Sequence, residues 1–325
     1  MLSTLVATPN RIRKLMEKQG YKFVLRHSAV KPCYWFRKAM MEGRTCYKNR
    51  FFGIPTWRCI QMSPTASFCN MQCSYCWRLN ASDLPQQYRW VEVPEGTWDD
   101  PEEIAEGSIR VQRMLVQGYK GVSVFRRDWV KEAEEPKHAA ISLTGEPMLY
   151  PKIGGLIEAF SRKGMTTFIV TNGTLPERIE SLEREPTQLY VTVPAPFEKL
   201  YAEITRPLWS EAWSRLVRTL ELLQSLSCPT VMRIPLIKGF NMDERSLEGF
   251  SKLVENYQPT YVEPKAYEWV GYSRRRLSKG NMPWHSEVRE FAERLAELTG
   301  YKILDESEES GIVLLSRLER AIRFY

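Results

Sequence analysis

Between residues 59 and 266, short β-rich apolar runs alternate with longer amphipathic stretches, and this rhythm constrains the fold more than any other feature. The runs are Cys59–Pro64, Ala139–Leu143, Thr166–Val170, Gln188–Val193, Val231–Ile237 and residues 260–265; helical patterns cover 101–117, 153–163, 210–225 and 245–256. Strands separated by helices pair in parallel through right-handed crossovers. About six such units fit the span, fewer than the eight that close a barrel. The expected fold is therefore α/β, a TIM-like partial (β/α)6 barrel open on one side, with functional groups on the loops at the C-terminal strand ends. Residues 1–58 precede this core as an extension, with helices at 10–19 and 34–43 and loop and turn from Arg44 to Trp57. The core runs from 59 to 270. Residues 271–325 form a C-terminal α/β extension, with a helix at 285–298 and a strand pair at 302–305 and 312–316. Pro264 lies inside the last run, which suggests an edge strand or a bulge. No apolar run approaches the roughly 18 residues of a membrane span, and Met1–Asn10 lacks the basic and apolar regions of a signal peptide.

Directly after the first run come Cys69, Cys73 and Cys76, spaced C-x3-C-x2-C within Phe68-Cys-Asn-Met-Gln-Cys-Ser-Tyr-Cys-Trp77. Such a loop can bring three thiolates to three corners of an iron–sulfur cube, which normally takes four cysteines. The remaining iron is then open to a small molecule. Zinc is the competing reading of the Cys73/Cys76 pair, but a closed zinc site needs four ligands, and His27, His138 and His285 are scattered. Cys33, Cys46 and Cys59 are spaced by 13 and 13 residues. They read either as a second three-thiolate set, again with an open iron for a second substrate, or as unrelated core residues. Cys228 reads as an ordinary buried thiol. Seven cysteines in 325 residues do not suggest a disulfide scaffold, and a cluster needs a reducing compartment, so a cytoplasmic protein is expected.

Net charge is +7, unevenly spread. Residues 1–58 carry 13 Lys and Arg against Glu17 and Glu42, whereas the remainder carries 33 basic and 37 acidic residues. A basic front on a near-neutral body suits a polyanion, although solvated surface charge gives the same count. Tyr21, Phe23, Tyr34, Trp35, Phe36, Tyr47, Phe51 and Phe52 are interleaved with these cations. Aromatics among cations suit unpaired RNA bases, but many of these rings are also needed as core.

The cysteine loop, with an aromatic Tyr75 one place before its last cysteine, resembles the motif of the radical-SAM superfamily. That resemblance implies S-adenosylmethionine (SAM) chelating the open iron, with Tyr75 near its adenine. Thr144-Gly145-Glu146-Pro147 resembles the segment that contacts the amino group of SAM: Gly145 permits close backbone approach, and Glu146 can accept a charge-assisted bond from an ammonium. Thr171-Asn172-Gly173 resembles the loop that contacts ribose or carboxylate, and Arg233, Lys238 and Asn241 are further candidates for the carboxylate and adenosine.

The 13/13 cysteine spacing, Thr45-Cys-Tyr-Lys-Asn-Arg-Phe-Phe-Gly-Ile54, Arg58-Cys-Ile-Gln-Met-Ser-Pro64, Cys76-Trp-Arg78, Leu143-Thr-Gly-Glu-Pro147, Val262-Glu-Pro-Lys-Ala-Tyr267, Val270-Gly-Tyr-Ser-Arg-Arg-Arg-Leu277 and Asn281-Met-Pro283 together resemble the 4-demethylwyosine synthases. These are radical-SAM enzymes of wybutosine biosynthesis, and the resemblance spans about residues 10–320. It implies a lyase acting on N1-methylguanine beside the anticodon of phenylalanine tRNA. Pyruvate would supply two carbons and lose its carboxyl carbon. Two [4Fe-4S] clusters would serve, one at Cys69, Cys73 and Cys76 with SAM, the other at Cys33, Cys46 and Cys59 with pyruvate. Lys48 matches the lysine that forms a Schiff base with pyruvate in the family. Arg274, Arg275 and Arg276 are candidates for gripping the anticodon stem. No flavodoxin-like domain is present in this sequence, so an external electron-donor protein is expected; a monomer is expected as well. One departure stands out: Pro194 occupies a position where the family usually has aspartate. Two alternatives remain at this point, another radical-SAM enzyme such as an RNA modifier, and a non-catalytic zinc-stabilised RNA-binding protein.

Overall fold

The computed structural model describes residues 4–325. The chain opens with helix α1 (Asn10–Lys18) and a hairpin of β1 (Lys22–Val24) and β2 (Ser28–Val30), followed by α2 (Tyr34–Glu42) and α3 (Tyr47–Phe52). The alternating region then runs β3 (Cys59–Ser63), α4 (Pro101–Gln117), α5 (Arg127–Ala133), β4 (His138–Ile141), α6 (Ile153–Arg162), β5 (Thr166–Thr171), α7 (Pro176–Glu180), β6 (Gln188–Thr192), α8 (Glu198–Thr205), α9 (Ala212–Leu222), β7 (Thr230–Leu236), α10 (Glu244–Tyr257) and β8 (Tyr261–Ala266). Helix α11 (His285–Thr299), β9 (Lys302–Ser307) and β10 (Ile312–Ser316) finish the regular structure.

Among the described residues, ten strands form one sheet in the order β1-β2-β3-β4-β5-β6-β7-β8-β10-β9. Strands β3 to β8 are parallel, as the six-unit reading expects. An antiparallel hairpin continues the sheet at each end, and β1 and β9 do not meet, so the barrel stays open. Local chemistry sets the helix ends. Asp100 accepts from Glu102 N ahead of α4 with Pro101 at its first position, and Asp243 accepts from Ser246 N ahead of α10.

Two expectations need correction. The 44–57 segment contains helix α3, not only loop. It is too short for periodicity to reveal it; its end is fixed by Gly53 at φ 76°, a left-handed cap. Pro264 is not on an edge, because β8 lies between β7 and β10. On the β10 side the register joins Val262 to Leu315 and Lys265 to Ile312. Pro264 falls between those pairs, opposite Val313 and on the β10-facing side like Ala266, so its missing N–H interrupts the ladder locally inside a paired strand.

The sheet is buried on both faces. Helices cover one, against Ile169, Leu189, Val191, Met232, Ile234 and Val262. On the other, Phe51, Phe52 and Ile54 of the N-terminal extension pack among Phe168, Tyr190, Val231 and Tyr261. Phe51 and Phe52 are almost fully buried, each contributing roughly 2–3 kcal/mol. The extension thus fills the concave side of the open barrel and carries its chemistry there.

Candidate active site

The two cysteine sets lie at opposite ends of β3. Cys59 is its first residue, and the C-x3-C-x2-C loop follows its last, Ser63. Four residues of strand span roughly 13 Å.

The loop after β3 is held from all sides by its own backbone. Cys69 N donates to Glu92 O (3.0 Å), Gln72 N to Thr205 O (3.0 Å), Ser74 N to Ile204 O (2.8 Å), and Cys76 N to Cys73 O (3.2 Å). Beneath it lies the ion pair of Arg78 and Glu92, whose side chains are 4% and 2% exposed. Arg78 also donates to Met71 O and Leu79 O, and Glu92 accepts from Ala81 N. A charge pair this deep is tolerable because its remaining polar valences are met. Gly145 closes the loop from the β4 side: its φ is +71°, and a Cβ would stand 2.0 Å from Thr65 O and 2.5 Å from Phe68 O. Glu146 N donates to Phe68 O, and Thr65 Oγ1 to Glu146 O. Gly145→Ala is therefore expected to cost roughly 2–4 kcal/mol and to lower iron retention. Gly164→Ala, at φ +68° with nothing within 4 Å of its Cβ, should cost only about 1 kcal/mol. Denaturant unfolding of the two variants compares them.

The polar loops after β4 and β5 converge beside this one. The Glu146 carboxylate accepts from Thr171 Oγ1 (2.7 Å), Asn172 N (2.8 Å) and Met148 N (3.0 Å). Burial pushes its carboxyl up to about 7 against those donors. Asn172 Nδ2 donates to Asn70 Oδ1, and Asn70 Nδ2 to Thr174 Oγ1, which ties the β5 loop to the cysteine loop. Burial, with Cys73 and Cys76 adjacent, holds the Tyr75 phenol well above its usual range. Thr144 Oγ1 is buried and borders a small cavity with Tyr21 and Arg78.

The second set is assembled at the start of α2, α3 and β3. Cys33 precedes α2, and its Sγ accepts from Phe36 N at 3.2 Å; Cys46 precedes α3, and Thr56 Oγ1 donates to its Sγ at 3.4 Å. Burial first, then the neighbouring Cys46, pushes the Cys33 thiol up to about 12. The Cys59 thiol is raised by burial and then by Cys33. In the loop set, burial pushes Cys69 up to about 12, and Cys73 is raised by burial and then by Cys76 and Cys69. Thiols raised in this way, Cys33 and Cys59 in one set and Cys69 and Cys73 in the other, ionise only when a cationic centre compensates them. Among the described residues no three His, Cys, Asp or Glu side chains converge on a single ion. Ligands of one zinc ion would stand roughly 3.8 Å apart, from its ~2.3 Å Zn–S bonds. Each set supplies three thiols, one short of the four that close a structural zinc site, whereas three thiolates on an iron–sulfur core leave one iron open.

Lys48, on α3, reaches into the concave side. Its Nζ lies 4.4 Å from the Tyr190 ring centroid and 4.6 Å from that of Phe168. Among the described residues no carboxylate forms an ion pair with it. Burial, then the Arg233 charge, lowers its ammonium to about 8.

Several residues sit elsewhere than the sequence suggested. Arg233 faces Lys48, not the SAM loops: it donates to Glu263 Oε2 (3.0 and 2.5 Å) and to Tyr47 Oη (2.6 Å), with its guanidinium 4.6 Å from the Tyr190 ring. Asn241 is buried and bonded within the fold, donating to Pro194 O and Pro235 O and accepting from Ile237 N. Lys238 is exposed and paired with Glu287. Arg276 is not a surface cation; its side chain is 7% exposed and bonds the cysteine loop. Arg274 and Arg275 are exposed, lying over Trp269 (4.3 Å) and Tyr272 (5.0 Å). Glu92 and Asn70, which brace the loop, carry no local motif and were not legible beforehand.

An open parallel barrel with a three-cysteine loop after its first parallel strand defines a radical-SAM enzyme, and a model of the radical SAM superfamily matches residues 63–248. A second model, for wyosine base formation, matches residues 256–317. The chain is 48% identical to the SAM-dependent tRNA 4-demethylwyosine synthase of Pyrococcus abyssi, over 95% of this chain and 89% of that one. It is 39% identical to the synthase of Methanocaldococcus jannaschii, over 97% and 98%. A solved structure of TYW1 with a lysine–pyruvate adduct bound superposes with a TM-score of 0.86 at 37% identity, covering 98% of this chain and 99% of that one. The chain belongs to the family of tRNA 4-demethylwyosine synthases. Family membership brings SAM and an iron–sulfur cluster, together with tRNA as the object of modification.

Proposed function

We propose that the protein condenses N1-methylguanosine of phenylalanine tRNA with pyruvate, forming the tricyclic base 4-demethylwyosine on a chain that carries two [4Fe-4S] clusters. The observation that carries this reading is the lysine chamber. Lys48 stands two residues from Cys46, without an ion pair among the described residues, between the rings of Phe168 and Tyr190, with its ammonium lowered to about 8 by burial and by Arg233. That environment favours a neutral amine able to capture a ketone. The relative solved with a lysine–pyruvate adduct supports the same reading.

The roles divide along β3. Cys69, Cys73 and Cys76 hold one cluster, and the neighbouring Tyr75, Gly145, Glu146, Thr171 and Asn172 form the pocket for SAM. When bound there, the cluster and SAM supply a 5′-deoxyadenosyl radical that takes hydrogen from the N-methyl group. Cys33 and Cys46, in the extension formed by residues 1–58, and Cys59, at the start of β3, hold the second cluster. Lys48 fixes pyruvate beside it, so the carbon to be joined is positioned before the base arrives. Arg274 and Arg275, each over an aromatic ring, contact the RNA backbone. An external one-electron donor completes the system, in a monomer acting in the cytoplasm.

The test uses tRNA carrying N1-methylguanosine, SAM, a chemical reductant and pyruvate labelled at C2 and C3. Label in a tricyclic nucleoside is the expected outcome. SAM cleavage without incorporation of label would mark a different radical-SAM reaction.

A further inference from the structure

Arg276 reaches the three-cysteine loop from about 200 residues away in the chain. Its Nη1 donates to Cys73 O (2.9 Å), and its Nη2 to Cys76 O (2.6 Å) and Arg78 O (3.1 Å). Two of these carbonyls belong to residues that hold the cluster, and the third ends the same loop. The turn carrying Arg276 is itself fixed. Tyr272 N donates to Trp77 O (3.0 Å), Tyr267 Oη bonds Ser273 Oγ (3.0 Å), and a Cβ on Gly271 would stand 2.4 Å from Trp77 O.

The charge of Arg276 is poorly matched by the protein. Its partner Asp83 stands 3.7 Å from Nε, both side chains being 7% exposed. Nε is buried and, among the described residues, makes no hydrogen bond. Asp83 is also engaged by Asn80 N at 2.8 Å. Arg78, by contrast, is fully paired with Glu92. A buried guanidinium so loosely compensated needs a further anion. Three thiolates on an iron–sulfur core supply one, and the negative charge grows by one unit when the core is reduced.

We propose that Arg276 is a positioning residue for the cluster at Cys69, Cys73 and Cys76, clamping the backbone of its loop and favouring its reduced state through a buried positive charge. This rests on the assignment of a cluster to that loop. The reaction it biases is a simple electron transfer: one electron passes from an external one-electron reductant to the cluster, with no bond made or broken. Cluster potentials respond to net charge and nearby hydrogen bonds, and a cation in a site that excludes water acts strongly.

The experiment is a redox titration of the full-length, anaerobically reconstituted protein with dithionite, followed by electron paramagnetic resonance. The signal altered by adding SAM identifies the cluster. R276M and R276Q are expected to lower the ratio of reduced to oxidised cluster at a fixed potential at least tenfold, which is 59 mV for one electron. R276K keeps the charge but cannot bridge three carbonyls. It should retain less iron, with the midpoint of what remains near wild type. R274A/R275A, which removes two exposed cations from the same turn, should leave the midpoint unchanged. A midpoint unmoved in both neutral variants would overturn the role of Arg276, as would an equal shift in R274A/R275A. If wild type shows no SAM-responsive signal, the cluster assignment falls, and the proposal with it.

Discussion

Lys48→Ala is expected to abolish formation of the tricyclic base, by at least about 10³-fold, while iron content and tRNA affinity stay at wild-type levels. The side chain contributes little to the fold that alanine would lose, because its ammonium makes no ion pair among the described residues and rests against the faces of Phe168 and Tyr190. What alanine removes is the amine. Burial and Arg233 lower the ammonium to about 8, so a useful share is neutral near physiological pH, whereas an ordinary lysine is almost wholly protonated. Borohydride added with pyruvate, before any SAM, should trap a reduced adduct on Lys48 in wild type, visible by mass spectrometry of the peptide containing Cys46 and Lys48. Lys48→Arg should show no adduct, since a guanidinium does not condense with a ketone under these conditions. Full product formation by Lys48→Ala would remove the Schiff base from the reaction.

The distinction between what the sequence disclosed and what it concealed follows the range of the interactions. Six parallel strands and the three-cysteine loop were legible because apolar runs, breakers and thiol spacing are local. Helix α3 was missed because six residues give no measurable period, and the phenylalanines that stabilise it pack against strands more than a hundred residues away. The setting of Arg233, beside Lys48 and not in the SAM loops, was hidden for a related reason. In a strand, successive side chains alternate between faces, so the face is set by register. The pairing of Arg233 with Glu263 across β7 and β8 turns it toward Tyr47 and Lys48. Arg276 sat in a run of three arginines that read as one basic patch. Its neighbours point outward, over Trp269 and Tyr272, while its own bonds reach carbonyls about 200 residues earlier in the chain. Nothing in the run distinguishes its members; only the docked turn does. Asn241 shows the opposite error, a polar residue in a suggestive loop whose hydrogen bonds hold Pro194 and Pro235 in place.

Removing one cysteine set while keeping the other should separate the two halves of the chemistry. Anaerobically reconstituted wild type is expected to hold about eight irons per chain and the Cys69/Cys73/Cys76→Ala variant about four, as two [4Fe-4S] clusters require. The converse variant, Cys33/Cys46/Cys59→Ala, should likewise retain about four irons. These two four-iron proteins should differ in function. The first should bind no SAM at iron and cleave none, because the open iron beside the Glu146, Thr171 and Asn172 loops is gone. The second should still cleave SAM but transfer no pyruvate carbon to RNA. Independence is expected because the sets occupy opposite ends of β3 and draw on different elements, one on the loop braced by Arg78, Glu92 and Arg276, the other on the starts of α2, α3 and β3. Four irons in wild type and none in the first variant would make Cys33, Cys46 and Cys59 structural thiols. Lys48 would then have to capture pyruvate without a metal partner, and the borohydride experiment would show whether it still does.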